Sequence, residues 1–97
     1  MIKEVEIIWS PQAELTYFNI LDHILTKWTI REAVAFDDKV EGLFAKLKTF
    51  KNLCPVSDKQ KHYRKCLITK QSSVVYQVVK DNIELITFIY NRSDHPF

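Results

Sequence analysis

The sequence predicts an α+β fold of order β-α-α-β-β-β, a helical hairpin packed on one face of a mainly antiparallel four-stranded sheet. Three observations predict it. Apolar and polar residues alternate at the N-terminus and again over the last third of the chain, the period of a pleated strand. Between these lie two stretches in which apolar residues return every three or four positions, the period of an α-helix. The 97 residues hold one glycine and three prolines, so regular elements dominate. The length suits a single domain over residues 1–97, and folding at this size buries roughly 60–65% of the unfolded surface.

Residues 2–9 read as the first strand, with Val5, Ile7 and Trp9 on one face and Lys3 preceding them on it. Ser10 then offers its hydroxyl as a helix N-cap, and Pro11 occupies the first helical position, where its missing N–H costs nothing. Ala13, Tyr17, Ile20, Leu21, Ile24 and Trp28 form one helical face. Thr29-Ile30-Arg31-Glu32 matches a capping box and starts a second helix at once, so the two must form a hairpin. Its apolar stripe is Ala33, Phe36, Val40, Leu43, Phe44, Leu47 and Phe50, and Gly42 inside it suggests a close backbone approach. Asn52 and Pro55 end this helix, and residues 51–61 read as a polar, basic loop.

Three strands follow, over about residues 62–69, 73–80 and 83–90. The middle one is β-branched on both faces, as a central strand should be. Asp81-Asn82 reads as the hairpin turn before the last strand. In that strand Ile83, Leu85, Thr87 and Ile89 alternate with Glu84, Ile86, Phe88 and Tyr90. With the helices on one side, the other side of the sheet should stay open as a concave, partly polar surface. Trp9 and Trp28 should pack in the core and the hairpin. Cys54 and Cys66 lack a metal-site spacing and a CxxC partner, and read as ordinary buried thiols of a reducing compartment.

Net charge is +2, but it is segregated. Residues 46–70 hold eight basic side chains and one acid, a net +7, whereas residues 1–45 carry four bases and eight acids, a net −4. Such a field favours a polyanionic or acidic partner on one face. No apolar run approaches the roughly 18–20 residues that span a bilayer. The N-terminal alternation is that of a strand and not of a secretory signal. A cytoplasmic protein with no membrane partner is expected. No glycine-rich phosphate loop, metal-ligand cluster or nucleophile elbow occurs, so no cofactor and no metal are expected.

Several local features resemble the RelE/ParE toxin superfamily, in particular its ParE-like, plasmid-stabilisation branch. They are the strand entering Trp9-Ser10-Pro11-Gln12-Ala13, the helix with Ile20 and Ile24 before Trp28, the proline loop followed by Tyr63-Arg64-Lys65, the strands Val75-Tyr76-Gln77-Val78 and Ile83-Glu84-Leu85-Ile86-Thr87-Phe88, and the ending Arg92-Ser93-Asp94-His95-Pro96. The resemblance covers essentially the whole chain. It implies a growth-inhibiting toxin held in check by a cognate antitoxin. Two activities occur on this fold, RelE-like cleavage of mRNA on the ribosome and ParE-like inhibition of DNA gyrase, and fold alone does not choose between them.

A metal-free ribonuclease needs a base, an acid and cations for the phosphorane charge. Arg64 and Arg92 match arginines of the family and bring fixed charge with bidentate reach to phosphate. RelE-like nucleases end in a tyrosine shortly after the last arginine; here Pro96-Phe97 stands in its place, and phenylalanine transfers no proton. His95 is the candidate that remains for proton transfer, with Arg64 and Arg92, if the chain is a ribonuclease. Lys59, Lys61, His62, Tyr63, Arg64 and Lys65 interleave an aromatic with cations and, with Tyr90 and Arg92, form the candidate surface for target or antitoxin. The expected function is therefore a ParE-like inhibitor of DNA gyrase. The alternatives are a ribosome-dependent mRNA endonuclease and a decayed toxin that keeps only antitoxin binding.

Overall fold

A computed structural model describes residues 5–97. The elements are β1 (Ile7–Trp9), α1 (Pro11–Lys27), α2 (Ile30–Thr49), β2 (Arg64–Leu67), β3 (Ser72–Val79) and β4 (Asn82–Tyr90). They form one four-stranded sheet in the order β1-β4-β3-β2. β1 runs parallel to β4, with Ile7 opposite Ile83 and Trp9 opposite Leu85, and the other two pairings are antiparallel. The fold class is the expected one. β1 is shorter than the strand expected over residues 2–9: Val5 and Glu6 are not in it, and residues 1–4 lie outside the described part.

Both helix starts follow from their caps. The Ser10 hydroxyl accepts from the Ala13 N–H at 3.0 Å, and the Thr29 hydroxyl from the Glu32 N–H at 3.3 Å. α1 and α2 place Ala13, Tyr17, Ile20, Phe36, Val40, Phe44 and Leu47 against Val74, Tyr76, Ile83, Leu85 and Phe88 of the sheet. The Trp9 ring sits among Tyr17, Phe44 and Phe88, with centroids 5.2, 5.7 and 5.6 Å away. Trp28 does not share this role. As the C-cap of α1 it is 69% exposed, and Phe50, the C-cap of α2, is also exposed. Gly42 has nothing within 4 Å of where a Cβ would stand, so no close approach explains it.

Three further expectations are corrected. The β3–β4 turn is centred on Lys80 and Asp81, with φ of 51° and 69°, and Val79 pairs with Asn82. The turn thus begins one residue earlier than Asp81-Asn82, and the Asn82 side chain accepts instead from the Glu6 N–H. Second, β4 carries a bulge: Val75 pairs with Thr87 but Tyr76 with Leu85, leaving Ile86 unpaired. The extra residue reverses the alternation, so Ile83, Leu85 and Phe88 share the helix-facing side. Ser10 closes this irregularity, its N–H donating to the Leu85 carbonyl and its hydroxyl to the Ile86 carbonyl at 2.8 Å. Beyond β1, the Phe88 N–H at the sheet edge finds the Thr16 hydroxyl of α1 at 2.9 Å.

Third, Cys54 and Cys66 are joined in a disulfide and are not free thiols. The reason is a strand-like return after α2. Val56 bridges Arg64 in antiparallel register, the Ser57 N–H donates to the Tyr63 carbonyl and the Lys65 N–H to the Pro55 carbonyl. Continued by two residues, that register sets Cys54 directly opposite Cys66, with Cα atoms 5.3 Å apart.

Candidate functional site

The side of the sheet away from the helices is not open. Ser73, Val75, Thr87 and Ile89 point there by alternation and are buried. The C-terminal residues 93–97 line one groove with Thr87 and Ile89 of this side, and the loop that follows the Val56–Arg64 bridge at the β2 edge is bonded to that tail. The buried Ser57 hydroxyl donates to the Phe97 carbonyl at 2.7 Å. The Lys59 ammonium donates to the His95 carbonyl at 2.9 Å, and the Gln60 amide to the Pro96 carbonyl at 3.2 Å. The Tyr63 and Phe97 rings meet at 5.8 Å. The root of the tail is fixed independently: the Asn91 N–H donates to the Gln71 carbonyl, and the Ser73 hydroxyl to the Asn91 side-chain oxygen at 2.6 Å. An open groove of about 490 Å³ remains beside the tail, lined by Ser10, Pro11, Gln12, Ile86, Thr87 and Phe97.

Local sequence prepares this arrangement. The Gln60 N–H donates to the Ser57 hydroxyl, a turn that presents Lys59 and Gln60 towards the tail. Within the tail, the Phe97 N–H donates to His95 Nδ1 at 3.3 Å. Of the residues singled out in the sequence, Lys59, Tyr63 and His95 are therefore brought together. Lys61 and His62 are exposed at the tip of the same loop, and Lys65, half-buried, follows on the outward face of β2. Ser57, Gln60 and Phe97 belong to this cluster and were not anticipated, because their partners lie 36 to 40 residues away.

The two arginines occupy different stations. Arg64 alternates with Cys66 onto the helix-facing side, and its guanidinium donates to the Cys54 carbonyl at 2.8 Å. There it sits beside Tyr76, whose hydroxyl donates to the Lys51 carbonyl and whose phenol is raised above its ordinary pKa by burial. Arg92 is exposed in a turn closed by Ser93, whose N–H and hydroxyl both donate to the Tyr90 carbonyl. Tyr90 lies edge-on to the His23 ring of α1 at 6.0 Å, and burial raises its phenol too. No contact joins Arg64 to Arg92 among the described residues.

The electrostatics follow from these bonds. One ion pair forms among the described residues, Lys51–Asp81 at 2.9 Å. Lys59 and Arg64 each donate one bond to a backbone carbonyl, which does not cancel their charge. Of the cations in residues 46–70, Lys59, Lys61 and Lys65 stand on or beside the loop without a carboxylate partner among the described residues. Among the described residues no three His, Cys, Asp or Glu side chains are placed to hold a metal ion, and no helix is long and apolar enough to cross a membrane.

Comparison with known proteins agrees with this fold. A chain of the chromosomal ParDE TA system from P. aeruginosa superposes with a TM-score of 0.75 at 15% identity, covering 90% of this chain and 96% of that one. The YoeB/ParE toxin from Agrobacterium tumefaciens gives 0.65 at 14% identity, with coverages of 90% and 99%. A chain of the heterotetrameric YoeB–YefM toxin–antitoxin complex from Staphylococcus aureus gives 0.58 at 18% identity, with coverages of 92% and 99%. These likenesses concern the fold. No curated protein sequence matches the chain. The family described as "ParE toxin of type II toxin-antitoxin system, parDE" matches residues 7–96. With nearly every residue inside that match and the β-α-α-β-β-β sheet to carry it, the chain belongs to the ParE toxin family of type II toxin–antitoxin systems.

Proposed function

We propose that this chain inhibits growth by binding DNA gyrase in the cytoplasm, without catalysis of its own, and that a cognate antitoxin neutralises it; in such a pair it would serve plasmid stabilisation. The observation that carries the reading is how the candidate catalytic groups are engaged. His95 Nδ1 already accepts from the Phe97 N–H, the Arg64 guanidinium is bound to the Cys54 carbonyl on the helix-facing side, and the Phe97 ring stands against Tyr63 at the chain's end. Cleavage of RNA needs a base, an acid and cations converging on one phosphate. A binding face needs only complementary charge and shape, and the basic loop with its tail offers both.

Lys59, Lys61, His62, Tyr63, Lys65 and Arg92 are the residues proposed to meet the target or the antitoxin, with Arg64 and Tyr90 flanking them. An acidic antitoxin segment suits a loop of this charge, and the YoeB–YefM structure noted above is a toxin–antitoxin complex. Inducible expression tests the proposal. Filamentation and a DNA-damage response that precede any fall in protein synthesis are expected, with rescue on co-expression of the neighbouring antitoxin gene. Translation arrest within minutes, without DNA damage, would replace this reading by the mRNA endonuclease. Normal growth would leave antitoxin binding alone.

A further inference from the structure

We propose that Cys54–Cys66 is a thiol–disulfide switch that fixes or frees the basic loop and the C-terminal tail as one unit. The disulfide spans a sequence separation of 12 and encloses Lys59, Lys61, Arg64 and Lys65. Inside that ring the loop holds itself by the Val56–Arg64 bridge, three backbone hydrogen bonds, the Gln60 N–H to the Ser57 hydroxyl and the Arg64 bond to the Cys54 carbonyl, and by no apolar residue of the core besides the two cysteines. The tail beyond Asn91 leans in turn on the loop, through Ser57, Lys59, Gln60 and Tyr63. Order is therefore nested, from disulfide to loop to tail. α1 and β4 lie outside this chain of dependence, since α1 is tied to β4 by Ser10 and Thr16.

The chemistry needs a dithiol reductant. Cys54 is 8% exposed and Cys66 1%, so the attacking thiolate reaches the Cys54 sulfur first. A mixed disulfide forms there, and the Cys66 sulfur leaves as a thiolate that takes a proton. The second thiol of the reductant then displaces the Cys54 sulfur and departs as a disulfide. Two electrons pass from reductant to protein, and a disulfide oxidant reverses the exchange. Disulfides of reducing compartments are usually transient or redox-sensing, which is the behaviour assigned here. The switch rests on the reading that loop and tail form the binding face, but its test measures their order and not binding to any target.

Hydrogen–deuterium exchange on the full chain, air-oxidised against dithiothreitol-treated, provides that test. Reduction is expected to speed exchange at Ser57, Lys65 and Phe97 by about tenfold or more and at α1 and β4 amides by less than about twofold, with reoxidation restoring protection. Cys54→Ser, which leaves the buried Cys66 in place, and the double variant Cys54→Ser/Cys66→Ser should both show the reduced pattern with or without dithiothreitol. Unchanged exchange at the loop and tail would overturn the proposal. So would equal loss of protection throughout the fold, or variants that fail to fold, since the disulfide would then be a staple of the whole domain. A chain that leaves gyrase untouched yet shows the local pattern would refute the target and keep the switch.

Discussion

Replacing Ser10 with alanine removes two bonds from one junction. The hydroxyl caps α1 at the Ala13 N–H, and it also donates to the Ile86 carbonyl, which the β4 bulge leaves without a strand partner. Loss of an N-cap costs about 1 kcal/mol. A part-buried carbonyl deprived of its donor costs about another 1 kcal/mol. The sum of about 2 kcal/mol corresponds to a fall in Tm of roughly 8–16 °C for a domain of this size. Urea and thermal unfolding followed by circular dichroism measure it, with an unchanged m-value showing that the unfolded state is not what moved. Two companions divide the effect. Ser10→Thr keeps both functions and should lie within about 0.5 kcal/mol of the parent, whereas Ser10→Asp caps the helix but has no proton for Ile86 and should lose about 1 kcal/mol or more. An alanine variant less than about 0.5 kcal/mol destabilised, or an aspartate variant as stable as the parent, would refute the argument that Ser10 holds the bulge.

Other substitutions test the remaining assignments. Gly42→Ala should stabilise the chain by about 1 kcal/mol in the same unfolding assay, because the site is exposed, helical and empty where the methyl would go. Lys80→Asn should raise stability by a few tenths to about 1 kcal/mol, since φ at that position is 51° and asparagine tolerates the left-handed region better than lysine. Tyr17 donates its hydroxyl to Asp37, and burial first, then that carboxylate, raises its phenol well above the ordinary value of 10.0. Below pH 10 both folded and unfolded chains keep the proton; above it the unfolded chain ionises first, so stability should fall as pH rises from 10 towards the folded value. Tyr17→Phe should flatten that decline in unfolding curves taken at successive alkaline pH values, leaving the contributions of Tyr76 and Tyr90, which have the same sign.

Most of the fold was legible because its signals are local. Ser10-Pro11 and Thr29-x-x-Glu32 announce helices through groups only three residues apart, and the apolar stripes of α1 and α2 state which faces are buried. The β4 bulge was hidden by composition: with Ile83, Leu85, Ile86, Phe88 and Ile89 apolar on both faces, a slip of one residue leaves no visible break in the pattern. The Lys80-Asp81 turn was displaced for a related reason, because Asn82 tolerates a turn equally well and only its bond to Glu6 removes it from that role.

The candidate site was read in part. Its cations and Tyr63 stand out in composition, and the resemblance to the toxin family drew attention to the tail. What composition does not contain is that residues 57–60 grip residues 95–97, a pairing decided by chain topology. The disulfide escaped for the same reason. Cys54 and Cys66 become partners only once the chain after α2 is known to return alongside β2, where the polar composition of residues 51–61 suggests only a loop.

The account rests on binding as the mode of action, and a side-by-side assay of purified components tests this most directly. The chain would be titrated into DNA gyrase with relaxed plasmid and, in parallel, into a reconstituted translation reaction carrying a defined mRNA. Loss of supercoiling while the mRNA stays intact and translated is the predicted result. Cleaved mRNA with supercoiling unaffected would contradict it.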